Sequence, residues 1–479
     1  MEWEKTRLMS NIISNFFADF RRFGFVVLLL CLAQVCVGYS VLTHEEVVDL
    51  LWKDQIQPLL TKRYPGTTDA DLKKAHAFAY GGSLLQDMGY YPFGSKYFSD
   101  LVHYVRTGDF VEALLEQSND VNEYAFALGA LAHYAADTNG HPAVNQAVAI
   151  TFPKLRTKFG NAVTYADDPK AHIRTEFGFD MVQVAKNRYT SDRYHDFIGF
   201  EVSKPVMERA FMQTYGLKMS DISGNEDLAI GSFRRGVSRV IPEMTRVALL
   251  SRNKAIIKDT PNINEKKFLY HLSRASYQKE WGKGYRKPGF GTRILAFFLK
   301  IVPKVGPFKA VSFQIPTTQT EDIYIKSINN TLDNYAALLR DTKDGKLQLR
   351  NLDFDTASET KPGEYSLADN TYARLLDDLD KHHFDEMTPE LQHNILTFYA
   401  NVNAPIMAKK TNKKDIKKAQ SSWEKTSREI SELKAWQIPP TSPDQNKNPG
   451  KKDDKSLDKT DNKKDNAQLG VEPEEIPSL

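Results

Sequence analysis

The chain reads as an all-α protein: a multi-helical domain, a second helical region after it, and a polar tail. Three observations carry that expectation. Helix-start signals recur along the sequence, apolar residues fall at helical spacing, and no convincing run alternates apolar and polar side chains as a strand would. At 479 residues, with 41% apolar and 26% charged side chains, the chain is long enough for a sizeable core.

The elements follow in order. Residues 1–38 read as a secretory signal with a long basic leader: Arg21-Arg22 precede the apolar run FGFVVLLLCLAQVCV, and Gly38 offers a small residue for cleavage. The run is short for a membrane span of about twenty residues. An exported protein, periplasmic or secreted, is therefore expected, with an uncleaved membrane anchor as the alternative. Both cysteines, Cys31 and Cys36, lie in this run, so a mature chain starting at Tyr39 has no thiol for a disulfide or a metal.

Residues 39–225 form the first helical domain. Thr43-His44-Glu45-Glu46 fits a capping box, and Asp120 opens a long helix through EYAFALGALAHYAAD. Asp168 caps a helix whose first position is Pro169. Gly81-Gly82, Gly89 to Gly94 and Asn139 to Pro142 read as punctuation between helices. Residues 226–408 form a second helical region of unassigned role, with a loop-rich break around Lys343 to Tyr365. Residues 409–438 form one charged helix. Residues 439–479, dominated by Lys, Asp, Asn and Pro, read as a disordered tail.

A net charge of +3 is too close to neutral to argue for nucleic acid or another polyanionic partner. Histidine placement is more informative, because seven of the eleven fall in the first 195 residues. On the helix from Asp120, His133 and Asp137 stand at i, i+4 and share a face, and His141 follows across Asn139-Gly140, where the helix is expected to end. After the Asp168 cap, His172 and Glu176 repeat the i, i+4 pairing. Two helices that each present an imidazole and a carboxylate one turn apart suit zinc. Upstream, His44, Asp87 and His103 extend the order to His, Asp, His, then His-x3-Asp-x3-His, then His-x3-Glu. His76 and His195 have no place in that order and read as structural, and His382-His383 read as a solvated face.

In this order of ligand types, residues from Tyr39 to about Leu217 resemble the zinc-dependent phospholipase C family and, more distantly, the trinuclear zinc nucleases that cut single-stranded nucleic acid. The resemblance implies up to three zinc ions. One would be held by Asp87, His103, His133 and Asp137, and a second by His141, His172 and Glu176. The third would take His44, Asp137 as a bridge, and the amine and carbonyl of the mature first residue, Tyr39. The spacer Thr138-Asn139-Gly140 is two residues shorter than the family's, which bears on the second site's geometry.

Zinc suits phosphodiester hydrolysis because it polarises phosphoryl oxygens and lowers the pKa of bound water to about 7. Asp87 is the candidate to orient or deprotonate the attacking water. A phospholipid is the leading substrate. The alternatives are another phosphoesterase, a nuclease, and a non-catalytic helical binding protein with a structural zinc cluster; the near-neutral charge disfavours nucleic acid. The aromatic stretch GYYPFGSKYF (residues 89–98) suits either a substrate pocket or the core, and the apolar run Ile294 to Val302 suits either peripheral membrane contact or a buried helix.

Overall fold

The computed structural model describes residues 41–186, 189, 198–241, 245, 313–400 and 413–437. The expected signal, Tyr39, His195, the run 294–302 and the tail from 439 lie outside the described residues. All described residues fall within one compact unit. Among them the chain is helical, with two-residue strands β1 (Leu352–Asp353) and β2 (Ser358–Glu359) paired antiparallel.

The helices run as follows: α1 (Val41–Leu51), α2 (Gln57–Arg63), α3 (Asp69–Ser83), α4 (Lys96–Tyr104) and α5 (Thr107–Glu116). Next come α6 (Val121–Thr151), α7 (Pro153–Phe159), α8 (Pro169–Ala185), α9 (Lys204–Tyr215), α10 (Met219–Ile222) and α11 (Glu226–Arg235). Then follow α12 (Thr318–Asp344), α13 (Ser366–Lys381), α14 (Pro389–Phe398) and α15 (Lys413–Ala435). A single 3-10 turn, Leu85–Tyr90, links α3 to the loop before α4.

The long helix α6 is the axis of the fold, with α3 packed along one side and α12 along another. Its start follows the expected chemistry: the Asp120 carboxylate accepts from the backbone N–H groups of Asn122 and Glu123 at 2.8 and 2.9 Å. Asp168 does the same for α8, accepting from Ala171 N at 2.9 Å. Glycine sets how closely α3 and α6 approach. A Cβ on Gly129 would stand 2.1 Å from the Ala79 carbonyl oxygen, and one on Gly82 1.9 Å from the Phe126 carbonyl oxygen. Gly81-Gly82 therefore lie inside the last turn of α3 as packing residues, not as the punctuation expected from sequence. On the other side, Tyr335 of α12 donates its hydroxyl to the Leu128 carbonyl at 2.8 Å. Phe98, Phe110, Phe126 and Tyr80 are fully buried around this axis, each contributing about 1.5–3 kcal/mol of burial.

Two further expectations are corrected. The helix carrying His133 does not end at Asn139-Gly140; α6 runs on to Thr151 with Pro142 inside it. Thr138 and Asn139 turn their side chains back to the carbonyls of Tyr134 and Ala135 at 2.7 and 2.8 Å, so these polar residues sit within the helix by bonding its own backbone. Nor does Thr43 cap α1, which already begins at Val41. Its hydroxyl instead bonds Asp180 Oδ1 at 2.5 Å, the Tyr189 hydroxyl at 2.6 Å, and the Tyr324 hydroxyl. Asp180 Oδ2 also accepts from Leu42 N at 3.0 Å, so α8 and α12 hold the first turn of α1.

Three lesser readings can be placed. His76 bonds Asp49 Oδ1 at 2.8 Å and stacks on Trp52 at 3.9 Å, a structural position. His382 and His383 are exposed. In the aromatic stretch, Tyr90, Tyr91, Tyr97 and Phe98 are buried, while Phe93 is exposed.

Candidate metal centre

Five elements deliver the candidate ligands to one buried place. His44 comes from the first turns of α1, Asp87 from the 3-10 turn, His103 from α4, His133, Asp137 and His141 from α6, and His172 and Glu176 from α8. All eight are no more than 2% exposed. Because α6 is continuous, His133, Asp137 and His141 lie on one face at successive i, i+4 steps, and the short spacer is simply one more helical turn. The Asp87 turn is fixed locally. Ser99 Oγ donates to the Gln86 carbonyl at 2.5 Å and accepts from Gly89 N at 2.9 Å, and Gln86 Nε2 reaches the Ala130 carbonyl at 3.1 Å.

Asp137 is the hub. Its Oδ1 lies 3.5 Å from His44 Nε2, and its Oδ2 lies 3.5, 2.9 and 3.4 Å from the Nε2 atoms of His103, His133 and His141. Asp87 Oδ1 lies 3.6 Å from His103 Nε2, and Glu176 Oε1 lies 2.5 Å from His172 Nδ1. Three groups of ligand atoms each converge within 4.8 Å: His44, His133 and Asp137; Asp87, His103 and His133; and His141, His172 and Glu176.

Backbone carbonyls orient two of the rings. His103 Nδ1 donates to the Ser99 carbonyl at 2.7 Å and His133 Nδ1 to the Ser83 carbonyl at 2.9 Å, so each turns Nε2 inward. His172 is fixed the other way: Nε2 bonds Asn145 Oδ1 at 2.8 Å and Nδ1 faces Glu176.

The donor set fits zinc on two observations of this structure. Both oxygens of Asp87, Asp137 and Glu176, together with His133 Nε2, both His141 nitrogens and His172 Nδ1, are buried without a hydrogen-bond partner. Buried polar atoms are otherwise nearly always paired, and three buried carboxylates need a compensating charge. Second, within the proposed ligand sets the His44–Asp137, Asp87–His103 and His103–Asp137 contacts fall at 3.5–3.6 Å, the separation of neighbouring tetrahedral ligands about 2.0–2.2 Å from one ion. The i, i+4 pairs His133 with Asp137 and His172 with Glu176 are closer.

The electrostatics of the protein atoms agree. Burial opposes a charge on His103, but the Asp137 and Asp87 carboxylates beside it outweigh burial and push its pKa up to about 10. Burial likewise opposes His141, yet Asp355 and Asp137 raise it to about 9. Burial, reinforced by His141, lowers His172 to about 3, and burial with His133 holds His44 well below its usual value. Burial raises the Asp87 and Glu176 carboxyls. Asp137 is held low by His133 and His141 in spite of its burial. The protein atoms alone thus leave protons and charges that one set of cations would replace.

Two residues at this site escaped the sequence reading. Asp355, in the loop between β1 and β2, puts Oδ1 3.3 Å from His141 Nδ1. Asn145 continues the α6 stripe one turn past His141 and was passed over because the helix was expected to have ended. An isolated aspartate 214 residues from its histidine (355 − 141) carries no spacing signal.

Residues 43–222 match the family model described as zinc dependent phospholipase C. No curated protein and no solved structure matches the chain. The family match and the three buried ligand groups together support a zinc-dependent phosphodiesterase.

Proposed function

We propose, from a chain whose residues 43–222 belong with the zinc-dependent phospholipases C, that the substrate is a phospholipid and that the bond cleaved is the phosphodiester on its glycerol side. The observation that carries the proposal is the convergence of four buried imidazoles on the two oxygens of Asp137, which have no hydrogen-bond partner, inside the region that matches the family.

Asp87, His103, His133 and Asp137 would hold one zinc, His141, His172 and Glu176 a second, and His44 with Asp137 a third completed by the amine of Tyr39. Zinc there supplies Lewis acidity towards the phosphoryl oxygens and a water acidic enough to react at neutral pH. The chain's own groups do the rest. Asp87, held by the Ser99 and Gln86 bonds around its turn, has unpaired carboxylate oxygens and accepts the proton of the attacking water. His103 and His133 are locked by backbone carbonyls, so their rings need no reorganisation on binding. Tyr90 and Tyr165 pack together against His103 and His172, flanked by Ile173 and Leu367, and form an apolar wall beside the centre.

Export completes the proposal: removal of residues 1–38 would free the Tyr39 amine, which couples maturation to activity. Burial of the eight described candidate ligands to 2% exposure or less favours a second reading, in which zinc serves to hold the helices together. Hydrolysis of a phosphocholine ester and of single-stranded DNA by protein starting at Tyr39, with His133→Ala as control, separates these readings. Cleavage of the phosphocholine ester, lost in the variant, supports the phospholipase. Cleavage of DNA alone moves the substrate to nucleic acid. Bound zinc without hydrolysis of either leaves the structural role.

A further inference from the structure

We propose that Asp355 is a positioning residue of the metal centre, holding His141 from the side opposite Asp137, so that a loop of the second helical region is part of the site. The inference rests on the zinc reading above and adds a residue outside the stretch that matches the family, residues 43–222.

His141 has a carboxylate beside each ring nitrogen. Its Nε2 lies 3.4 Å from Asp137 Oδ2, at the centre of the cluster, and its Nδ1 lies 3.3 Å from Asp355 Oδ1. A neutral imidazole offers one lone pair and one N–H, and the neighbour of one nitrogen decides the role of the other. A carboxylate beside Nδ1 keeps the hydrogen there and turns the Nε2 lone pair towards Asp137 and the metal. Three of the other imidazoles have an outer hydrogen bond to a backbone carbonyl or to Asn145: Ser99 for His103, Ser83 for His133, Asn145 for His172. For His141 the group in that place is the Asp355 carboxylate, an ion-pair contact at 3.3 Å.

The carboxylate is itself held. Asp355 Oδ2 accepts from the Tyr104 hydroxyl at 3.0 Å and from the Tyr365 hydroxyl. These two bonds leave Oδ1 for His141, and Oδ1 has no hydrogen bond of its own. The Asp355 N–H donates to Asp353 Oδ1 at 2.9 Å, which shapes the turn. The Asp355 carbonyl accepts from Asn145 Nδ2 at 2.7 Å, and Asn145 Oδ1 is the atom that holds His172. One turn of chain thus grips both histidines of the group formed with Glu176.

The rest of the loop is stitched to α4, α5 and α6. Phe354 N donates to the His103 carbonyl at 3.1 Å, and its ring meets those of His103 and Tyr134 edge-on, each at 5.5 Å. Leu352 exchanges bonds of 2.8 and 3.0 Å with the Thr107 hydroxyl, and Asn351 Oδ1 accepts from Gly108 N and Asp109 N at 3.0 and 3.1 Å. Asp353, Phe354 and Asp355 are all buried. A mere covering loop would bury apolar atoms; this one sends a carboxylate inward and spends two tyrosine hydroxyls on orienting it.

The test uses the full chain with residues 1–38 removed, with cobalt(II) as a spectroscopic substitute for zinc, and a competing chelator to rank affinities. Asp355→Ala is expected to weaken one of the bound ions about 10–100-fold and to alter the visible cobalt spectrum of that site, the cost of losing an outer partner. The remaining ions should be unchanged. Asp355→Asn, which keeps an oxygen acceptor for His141 Nδ1, should recover most of the affinity and the spectrum, and it serves if the alanine variant does not fold. Unchanged affinity and spectrum in Asp355→Ala, with wild type binding zinc, would overturn the positioning role alone. Asp355→Asn behaving like the alanine variant would also overturn it, since an amide can accept this bond but is a poor metal ligand. Absence of metal binding in wild type would overturn both this role and the zinc reading.

Discussion

Stripping zinc from the folded protein should leave two protonated histidines in the centre, and reloading must expel their protons. His103 and His141 carry pKa values raised to about 10 and about 9 by Asp137 and Asp87 in the first case and Asp355 and Asp137 in the second, against burial that pulls the other way. At about pH 7.5 both rings are more than nine-tenths protonated in the metal-free state, so full loading should release roughly two protons from them. The raised Glu176 carboxyl can only add to that number. The sign follows: His103 and His141 serve different ions, so the apparent affinity of each of those two sites rises with pH by about tenfold per unit while its proton is displaced, and levels off above about pH 10. In the metal-free protein the same two contacts stabilise the fold fully below about pH 6.5 and are lost as pH rises through about 9 to 10. Titration calorimetry of the metal-free protein in buffers of different ionisation enthalpy counts the protons directly. Release of fewer than one proton at neutral pH would refute the protonated state of these two histidines in the metal-free centre.

Three further substitutions probe separate links. Gly129→Ala puts a methyl 2.1 Å from the Ala79 carbonyl oxygen; thermal unfolding should show a loss of about 1–3 kcal/mol or more, as for other overpacked cores. Asp180→Ala removes the acceptor for Leu42 N and the Thr43 hydroxyl; denaturant unfolding should show a loss of about 2–4 kcal/mol, with weaker metal binding at His44. Asp87→Asn removes the base and weakens one zinc ligand, so kcat should fall about 100- to 10,000-fold in steady-state kinetics at saturating zinc, with zinc content measured alongside to separate the two losses.

The helical class and the convergence of the His133–Asp137 and His172–Glu176 pairs were legible because their signals are local, whereas His44, Asp87 and His103 entered only through the order of ligand types. A cap such as Asp120 or Asp168 acts within three residues, and an i, i+4 pair such as His172 and Glu176 is a property of one helix. Readings failed where tertiary partners override a local rule. Thr43 looked like a cap, but Asp180, Tyr189 and Tyr324 claim its hydroxyl from as far as 281 residues away. Asn139-Gly140 looked like a helix end, yet α6 continues, with Asn139 bonded back to its own backbone. Read as an unbroken helix, the sequence would have carried the stripe from His133 through Asp137 and His141 to Asn145. Asp355 was not legible in any such way: its role depends on a loop that Thr107, Tyr104 and Tyr365 fasten to the site across the chain.

The most direct measurement is the metal content of purified protein starting at Tyr39, beside the Asp137→Ala variant. Asp137 faces His44, His103, His133 and His141 with its two oxygens, so its loss should empty most of the centre. Zinc near three per chain, one for each converging group, falling to one or less in the variant, is the expected result. Wild-type protein that is folded and free of zinc, or a variant that keeps all of it, would contradict the metal centre.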